Sequence, residues 1–242
     1  MAPDGSSGLT EGGAGIPNID SVKSTIRNFY GATDSTKPGI ANKTASPYIS
    51  QMTAFSKTWT DRLAKTCARV AKRGEKPAVV FDADDTTLWT YDMEDGAMKF
   101  NFNPTVQNNE WVIPEKFIPV PGMQRVVRAA ATHGCTVVGI TGRRQAQRAA
   151  TIDNLNKYYD DVFKTKYYFT KWDKGGEIPA YVTCAATNPD CTTIEYKSQT
   201  RKHVQDDLGL RIVANLGDQY SDLLGGHSDR AVKLPNPTYY LP

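Results

Sequence analysis

From Ser46 to Arg73 apolar side chains recur every three or four positions, at Ile49, Met52, Phe55, Trp59, Leu63, Cys67 and Val70. That spacing lines one face of a helix, and it predicts a single amphipathic helix lying against the core. Ser46 is its expected N-cap and Pro47 sits just inside the first turn. A shorter helix is expected upstream, capped at Asp20 or Ser21 and running through Val22, Ile26 and Phe29 to Gly31. The two make a helical prelude over 19–75. After Pro77 the pattern changes to short apolar runs: AVVF at 78–81, TVVGI at 136–140, YYF at 167–169, RIVANL at 211–216 and AVKL at 231–234. Strands alternating with helical stretches imply right-handed crossovers, hence an α/β fold with a doubly wound, mainly parallel, Rossmann-like sheet flanked by helices.

In such folds reactive groups gather beyond the carboxyl ends of the strands. Three of the runs lead directly into polar residues: DADDT after the first, Thr141-Gly142-Arg143 after the second, and Gly217-Asp218-Gln219-Tyr220-Ser221-Asp222 after the fourth. The stretch from 89 to 121 carries Trp89, Tyr91, Met93, Met98, Phe100, Phe102 and Trp111 without a clear period. A connection that long is unusual unless it is functional, so it reads as a small cap-like segment walling a pocket, with a packed surface excursion as the alternative.

The acids after the first run raise a physical question, because Asp82, Asp84 and Asp85 repel one another within four positions. A divalent cation resolves the repulsion, and Mg²⁺ takes one or two carboxylates together with water and phosphate oxygens. A carboxylate can also attack phosphorus, dividing one hard displacement into two easier ones. Asp82, nearest the strand, is then the expected nucleophile. Asp84, two residues on, points to the same side and can act as acid to the leaving oxygen and base to the hydrolytic water. Asp85 is expected to face solvent or to act as a cap. Charge developing on the transferred group needs preorganised donors, for which Thr141 offers a hydroxyl and Lys197 a cation. Asp218 would complete the metal shell, with Asp222 one helical turn later holding ligands or waters.

Composition narrows the picture. At 242 residues and 39% hydrophobic content the chain can bury one substantial core. A formal charge of +3 with scattered Lys and Arg gives no basic stripe, so a nucleic-acid polymer is not the expected partner. No run approaches the roughly 20 apolar residues of a membrane span. The opening residues 1–18 have neither the basic nor the apolar region of a signal peptide and read as a Gly/Ser-rich flexible arm of a mature form. Cys184 and Cys191 bracket a turn-forming loop and are expected to pair, which points to an oxidising compartment and export. Cys67 and Cys135 each sit in an apolar pattern and read as buried thiols, with mutual pairing left open. Cys67 and Arg73 match the spacing of a cysteine phosphatase, but the intervening ARVAK lies within the predicted helix and lacks the glycine such a phosphate loop needs. His133, His203 and His227 form no recognisable constellation, and Asn42-Lys43-Thr44 fits a glycosylation acceptor triplet.

Taken in order, VVFDADDTTL, VGITGRR, EYKSQTRKHV and NLGDQYSDLLGGHSDR resemble the four motifs of the haloacid dehalogenase (HAD) superfamily, and within it the subfamily IIIB acid phosphatases. The resemblance runs from about Lys76 through the NPTYYLP close and is strongest to secreted actinobacterial members. It implies a single HAD-like phosphatase domain over 19–242 that hydrolyses small phosphomonoesters with Mg²⁺, at acid pH, with nucleoside monophosphates as candidate substrates. Asp82 matches the nucleophile, Asp84 the acid/base, Thr141 the phosphate-binding residue, Lys197 the motif lysine, and Asp218 and Asp222 the acidic pair. Asp82, the backbone carbonyl of Asp84, Asp218 and Asp222 are thereby the implied metal contacts, and Thr86 matches a structural threonine. The prelude and the segment after Leu88 would shape the pocket, with Trp89, Tyr91 or Phe100 stacking on substrate and Arg143 either touching phosphate or bracing its loop. Two other readings are a phosphatase dedicated to one phosphorylated natural product and a storage or binding protein that keeps the fold without turnover.

Overall fold

The computed structural model describes residues 8–188 and 190–241. Residues 1–7 of the expected arm, Pro189 in the loop between Cys184 and Cys191, and Pro242 lie outside the described residues. Helix α1 spans Ile19–Tyr30 and starts earlier than expected, because Asn18 rather than Asp20 or Ser21 is the cap. The Asn18 side-chain oxygen accepts from the backbone N–H of Asp20 at 3.0 Å and of Ser21 at 3.2 Å. Gly31 ends the helix in the left-handed region at φ 66°, a conformation glycine adopts without a Cβ penalty. Helix α2 spans Pro47–Ala71 as the period predicts, with the Ser46 hydroxyl accepting from Ile49 N at 3.2 Å.

The main sheet contains β1 (Pro77–Phe81), β4 (Thr136–Arg144), β5 (Tyr168–Lys171), β6 (Arg211–Gly217) and β7 (Ala231–Lys233), in spatial order β5-β4-β1-β6-β7. Every pairing in it is parallel. Alternation along β1 divides the core. Val79 and Phe81 face a larger apolar layer containing Tyr48, Met52, Leu63 and residues of α4 (Met123–Thr132) and α5 (Arg148–Asn156). Ala78 and Val80 face the other layer, with Tyr196 and Val204 of α6 (Thr193–Asp206). Burial on both sides is what a parallel sheet requires, and each fully buried large apolar side chain contributes about 1.5–3 kcal/mol. The chain steps outward from β1 to β4 and β5, then crosses back to β6 and β7. The order therefore reverses beside β1, and a crevice opens there at the strands' carboxyl ends.

A two-residue antiparallel pair, β2 (Leu88–Trp89) with β3 (Ile118–Pro119), closes the base of the segment expected to act as a cap. Between them run a wide π-helical turn over Asp92–Ala97, a short α3 (Pro104–Val106) and a second wide turn over Gln107–Val112. Arg27 of α1 grips this segment through two 2.8 Å bonds to the Asp95 carboxylate.

Both cysteine pairs are disulfides, Cys184 with Cys191 as expected and Cys67 with Cys135, the pairing that the sequence leaves open. The second bond joins α2 to the residue just before β4, and the helix-against-sheet packing brings the two cysteines to a Cα separation of 5.2 Å. Among the described residues no helix is long and apolar enough to cross a membrane.

Candidate active site

Asp82 leaves β1 at its carboxyl end, where its N–H still donates to Leu216 O of β6 at 3.1 Å. The next residues fold into a tight turn held by Thr87, whose hydroxyl donates to the carbonyls of Asp82 at 2.8 Å and Ala83 at 3.1 Å. Asp218 directly follows β6, and Asp222 lies in the single turn of α7 (Tyr220–Leu223). Gly217 permits this approach, since a Cβ there would meet Asp222 Cβ at 2.3 Å. One carboxylate oxygen from each of Asp82, Asp218 and Asp222 lies within 4.8 Å of the others, and all three residues are buried.

Lys197 enters from α6, whose start is fixed by a reciprocal cap: Thr192 Oγ1 accepts from Glu195 N at 3.2 Å, and Glu195 Oε2 accepts from Thr192 N at 2.7 Å. Its Nζ donates to Asp82 Oδ1 and Asp222 Oδ1, both at 2.5 Å. Arg201, one turn further, donates to the carbonyls of Asp222 at 2.6 Å, Leu224, and Gly226 at 2.8 Å, which pins the loop carrying the acidic pair.

Burial pushes the Asp82 carboxyl well above the usual carboxylate range, with Lys197 opposing. Burial and then the Asp222 charge push Asp218 up to about 7. Burial alone would lower Lys197, but the charges of Asp222 and Asp82 outweigh it and the ammonium is held above its ordinary value. Three acids facing one ammonium leave a crevice short of positive charge. A cluster of hard oxygens in that state fits a divalent cation such as Mg²⁺.

Asp84 is met by Arg143, whose Nη2 donates to Oδ1 at 2.6 Å and Nε to Oδ2 at 3.0 Å. Arg143 also donates to Thr151 Oγ1 at 3.0 Å and lies 4.9 Å from the Phe117 ring centroid, so here it braces the loop and the Asp84 side chain. Thr141 is buried on β4, two residues past the pairing of Gly139 with Phe81, and its hydroxyl accepts from Arg143 N at 3.2 Å.

Trp89 and Tyr91, read as pocket residues, pack instead in an aromatic cluster of the core. Trp89 is 4% exposed beside Tyr48 at 5.2 Å, with Lys43 Nζ 4.0 Å from its ring. Tyr91 is fully buried, stacks on Tyr30 at 4.0 Å and donates its hydroxyl to Asp95. The prelude supplies Tyr30 and Tyr48, which draw these aromatics inward. Asp85 differs from its expected solvated role as well. It is fully buried at φ 47°, and its carboxylate accepts from Thr90 N at 3.1 Å, from the Thr90 hydroxyl, and from Asn236 Nδ2 at 3.3 Å. Burial pushes it up to about 8.

Glu94 escaped the sequence reading. It is 7% exposed, and burial together with the charges of Asp84 and Asp218 pushes it up to about 8. Asn236 and Tyr239 also reach the site, both donating to Asp218 Oδ2, at 2.8 and 3.2 Å. The motif resemblance covers the NPTYYLP close but gives no side chain there a role.

Residues 22–242 match the family described as HAD superfamily, subfamily IIIB (Acid phosphatase). The chain is 30% identical over 168 residues to Acid phosphatase 1 of Solanum lycopersicum, covering 67% of this chain and 58% of that protein. It is 30% identical over 171 residues to the Stem 28 kDa glycoprotein of Glycine max, with coverages of 69% and 61%. The chain thus spans less than two thirds of the length of these curated relatives. The class C acid phosphatase from Bacillus anthracis has a similar fold, with a TM-score of 0.61 at 16% sequence identity over 90% of this chain and 86% of that one. With a family match reaching from the prelude to the chain's close around the carboxylate crevice just described, the chain belongs to the HAD superfamily, subfamily IIIB, acid phosphatase family.

Proposed function

We propose that this chain hydrolyses small phosphomonoesters, nucleoside monophosphates among them, through a phosphorylated Asp82. The observation that carries the reading is the convergence of Asp82, Asp218 and Asp222 on Lys197 at the crevice where the strand order reverses. A carboxylate oxygen of Asp82 bonds to phosphorus as the ester oxygen departs, taking a proton from Asp84. Water then attacks the same phosphorus while Asp84 accepts its proton, so phosphate leaves and Asp82 is restored. Lys197 and Thr141 hold the phosphoryl oxygens, and Arg143 keeps Asp84 aimed at the reacting group. Asp82, the Asp84 carbonyl, Asp218 and Asp222 would hold Mg²⁺, which when bound offsets charge on the phosphoryl oxygens. Trp89 and Tyr91 shape the pocket from behind, without touching substrate. Two disulfides support a working place outside the reducing cytosol.

The test is phosphate release from nucleoside monophosphates, sugar phosphates and an aryl phosphate, with and without chelator, joined to trapping by beryllium fluoride. Chelator-sensitive release and an adduct on Asp82 are expected. An adduct on another residue, or none on a turning-over enzyme, overturns the covalent scheme.

A further inference from the structure

The end of the chain carries polar groups for which phosphoryl transfer itself has no use. After β7 the chain lies beside the carboxyl end of β6, where Leu234 N donates to Gly217 O at 2.9 Å. Asn236 Oδ1 accepts from Thr238 N at 2.8 Å and from Thr238 Oγ1 at 2.5 Å. An amide oxygen with both lone pairs engaged fixes the direction of its nitrogen, and Nδ2 reaches Asp218 Oδ2 at 2.8 Å and Asp85 Oδ2 at 3.3 Å. The same Asp218 oxygen also accepts from Gln219 Nε2 at 2.8 Å and from the Tyr239 hydroxyl at 3.2 Å. Gln219 is itself held by the strap: its Nε2 donates to Tyr239 O at 3.3 Å and its Oε1 accepts from Leu241 N at 3.2 Å. Three donors therefore load Oδ2, while Oδ1 meets the Thr86 hydroxyl at 3.2 Å and keeps free lone-pair capacity.

We infer that Asn236 is a positioning residue through which the C-terminal strap, residues 235–241, sets the crevice's affinity for a divalent cation. By occupying Oδ2 of Asp218 and bridging to Asp85, it presents Oδ1 to the cation in one orientation. Hydrogen bonds to ligating carboxylates act in this way, and their loss typically weakens metal binding by about 10- to 100-fold. The inference rests on the cation-dependent reading above.

Mn²⁺ is the probe, because its free form is counted directly by electron paramagnetic resonance. In the full chain, Asn236→Ala is expected to weaken Mn²⁺ binding by about 10- to 100-fold. Turnover should return at saturating cation, a split that a merely structural role does not produce. Should Asn236→Ala lose its near-ultraviolet circular dichroism, Thr238→Val serves instead, since it removes one of the two donors aligning the amide. A smaller loss of affinity in the same direction is then expected. Mn²⁺ affinity equal to the wild type in the folded variant overturns the inference, as does turnover lost at saturating cation with affinity unchanged. A wild-type chain that binds no Mn²⁺ and ignores chelator sinks the cation reading itself, so the two failures are distinct.

Discussion

Lys197 and Asp82, 115 residues apart in the chain, meet at 2.5 Å inside the crevice, and the same ammonium reaches Asp222 at 2.5 Å. One cation thus serves two buried carboxylates on different strands' loops. Lys197→Met would leave both without it. Removing one partner of a buried pair costs about 3–5 kcal/mol, because the remaining charge is uncompensated. Urea unfolding should show that loss, and phosphate release should fall by at least about 10²-fold. Wild-type stability in the variant would mean the ammonium is not the group that balances these acids.

Asp82→Asn keeps the volume and the ability to accept from Lys197 but removes the nucleophile. Turnover is expected to drop by at least about 10³-fold, as for other covalent nucleophiles, with the circular dichroism spectrum unchanged. Substantial phosphate release by a folded Asn variant would contradict the proposed chemistry.

Glu94 should make the chain's stability depend on pH. Its carboxyl rises from 4.5 unfolded to about 8 folded, through burial and then the charges of Asp84 and Asp218. Between those values the folded state holds a proton that the unfolded state has released, so stability falls as pH rises through the window. Glu94→Gln cannot ionise. In chelator it should melt higher than wild type at about pH 8.5, by on the order of 1–3 kcal/mol, and level with it at about pH 4.5. A stability difference that does not change with pH would show that Glu94 is not held protonated by its surroundings.

The two disulfides should differ in what they contribute. Loop-closure entropy gives about 4 kcal/mol for the 68-residue loop of Cys67–Cys135 and about 2 kcal/mol for the 7-residue loop of Cys184–Cys191. Paired Cys→Ala variants, melted separately, test this order. A larger loss from the short loop would reverse it.

The strands and the carboxylates at their ends were legible because three of the apolar runs lead directly into polar residues, so chain order alone placed Asp82, Thr141 and Asp218 at one edge. The helix of the prelude was misjudged at its start because Ile19 is 66% exposed and contributes nothing to the apolar period, which hid Asn18 as the cap. Asp85 looked like a solvated neighbour of Asp84, since nothing local shows that its backbone turns to φ 47° and drives the side chain inward. The rest depends on partners far along the chain. Asn236 meets a carboxylate 151 residues away, Cys67 pairs across 68, and Trp89 and Tyr91 are drawn into the core by tyrosines of the prelude. Periodicity and turn chemistry see only a few residues at a time and carry no information on such meetings.

The bond between Cys67 and Cys135 encloses the whole excursion 89–121 within one covalent ring. A protease that nicks the backbone there, at exposed Phe102 for instance, cannot release a fragment. Both halves of the cut chain stay tethered, so the molecule would run as two bands on a gel only after reduction.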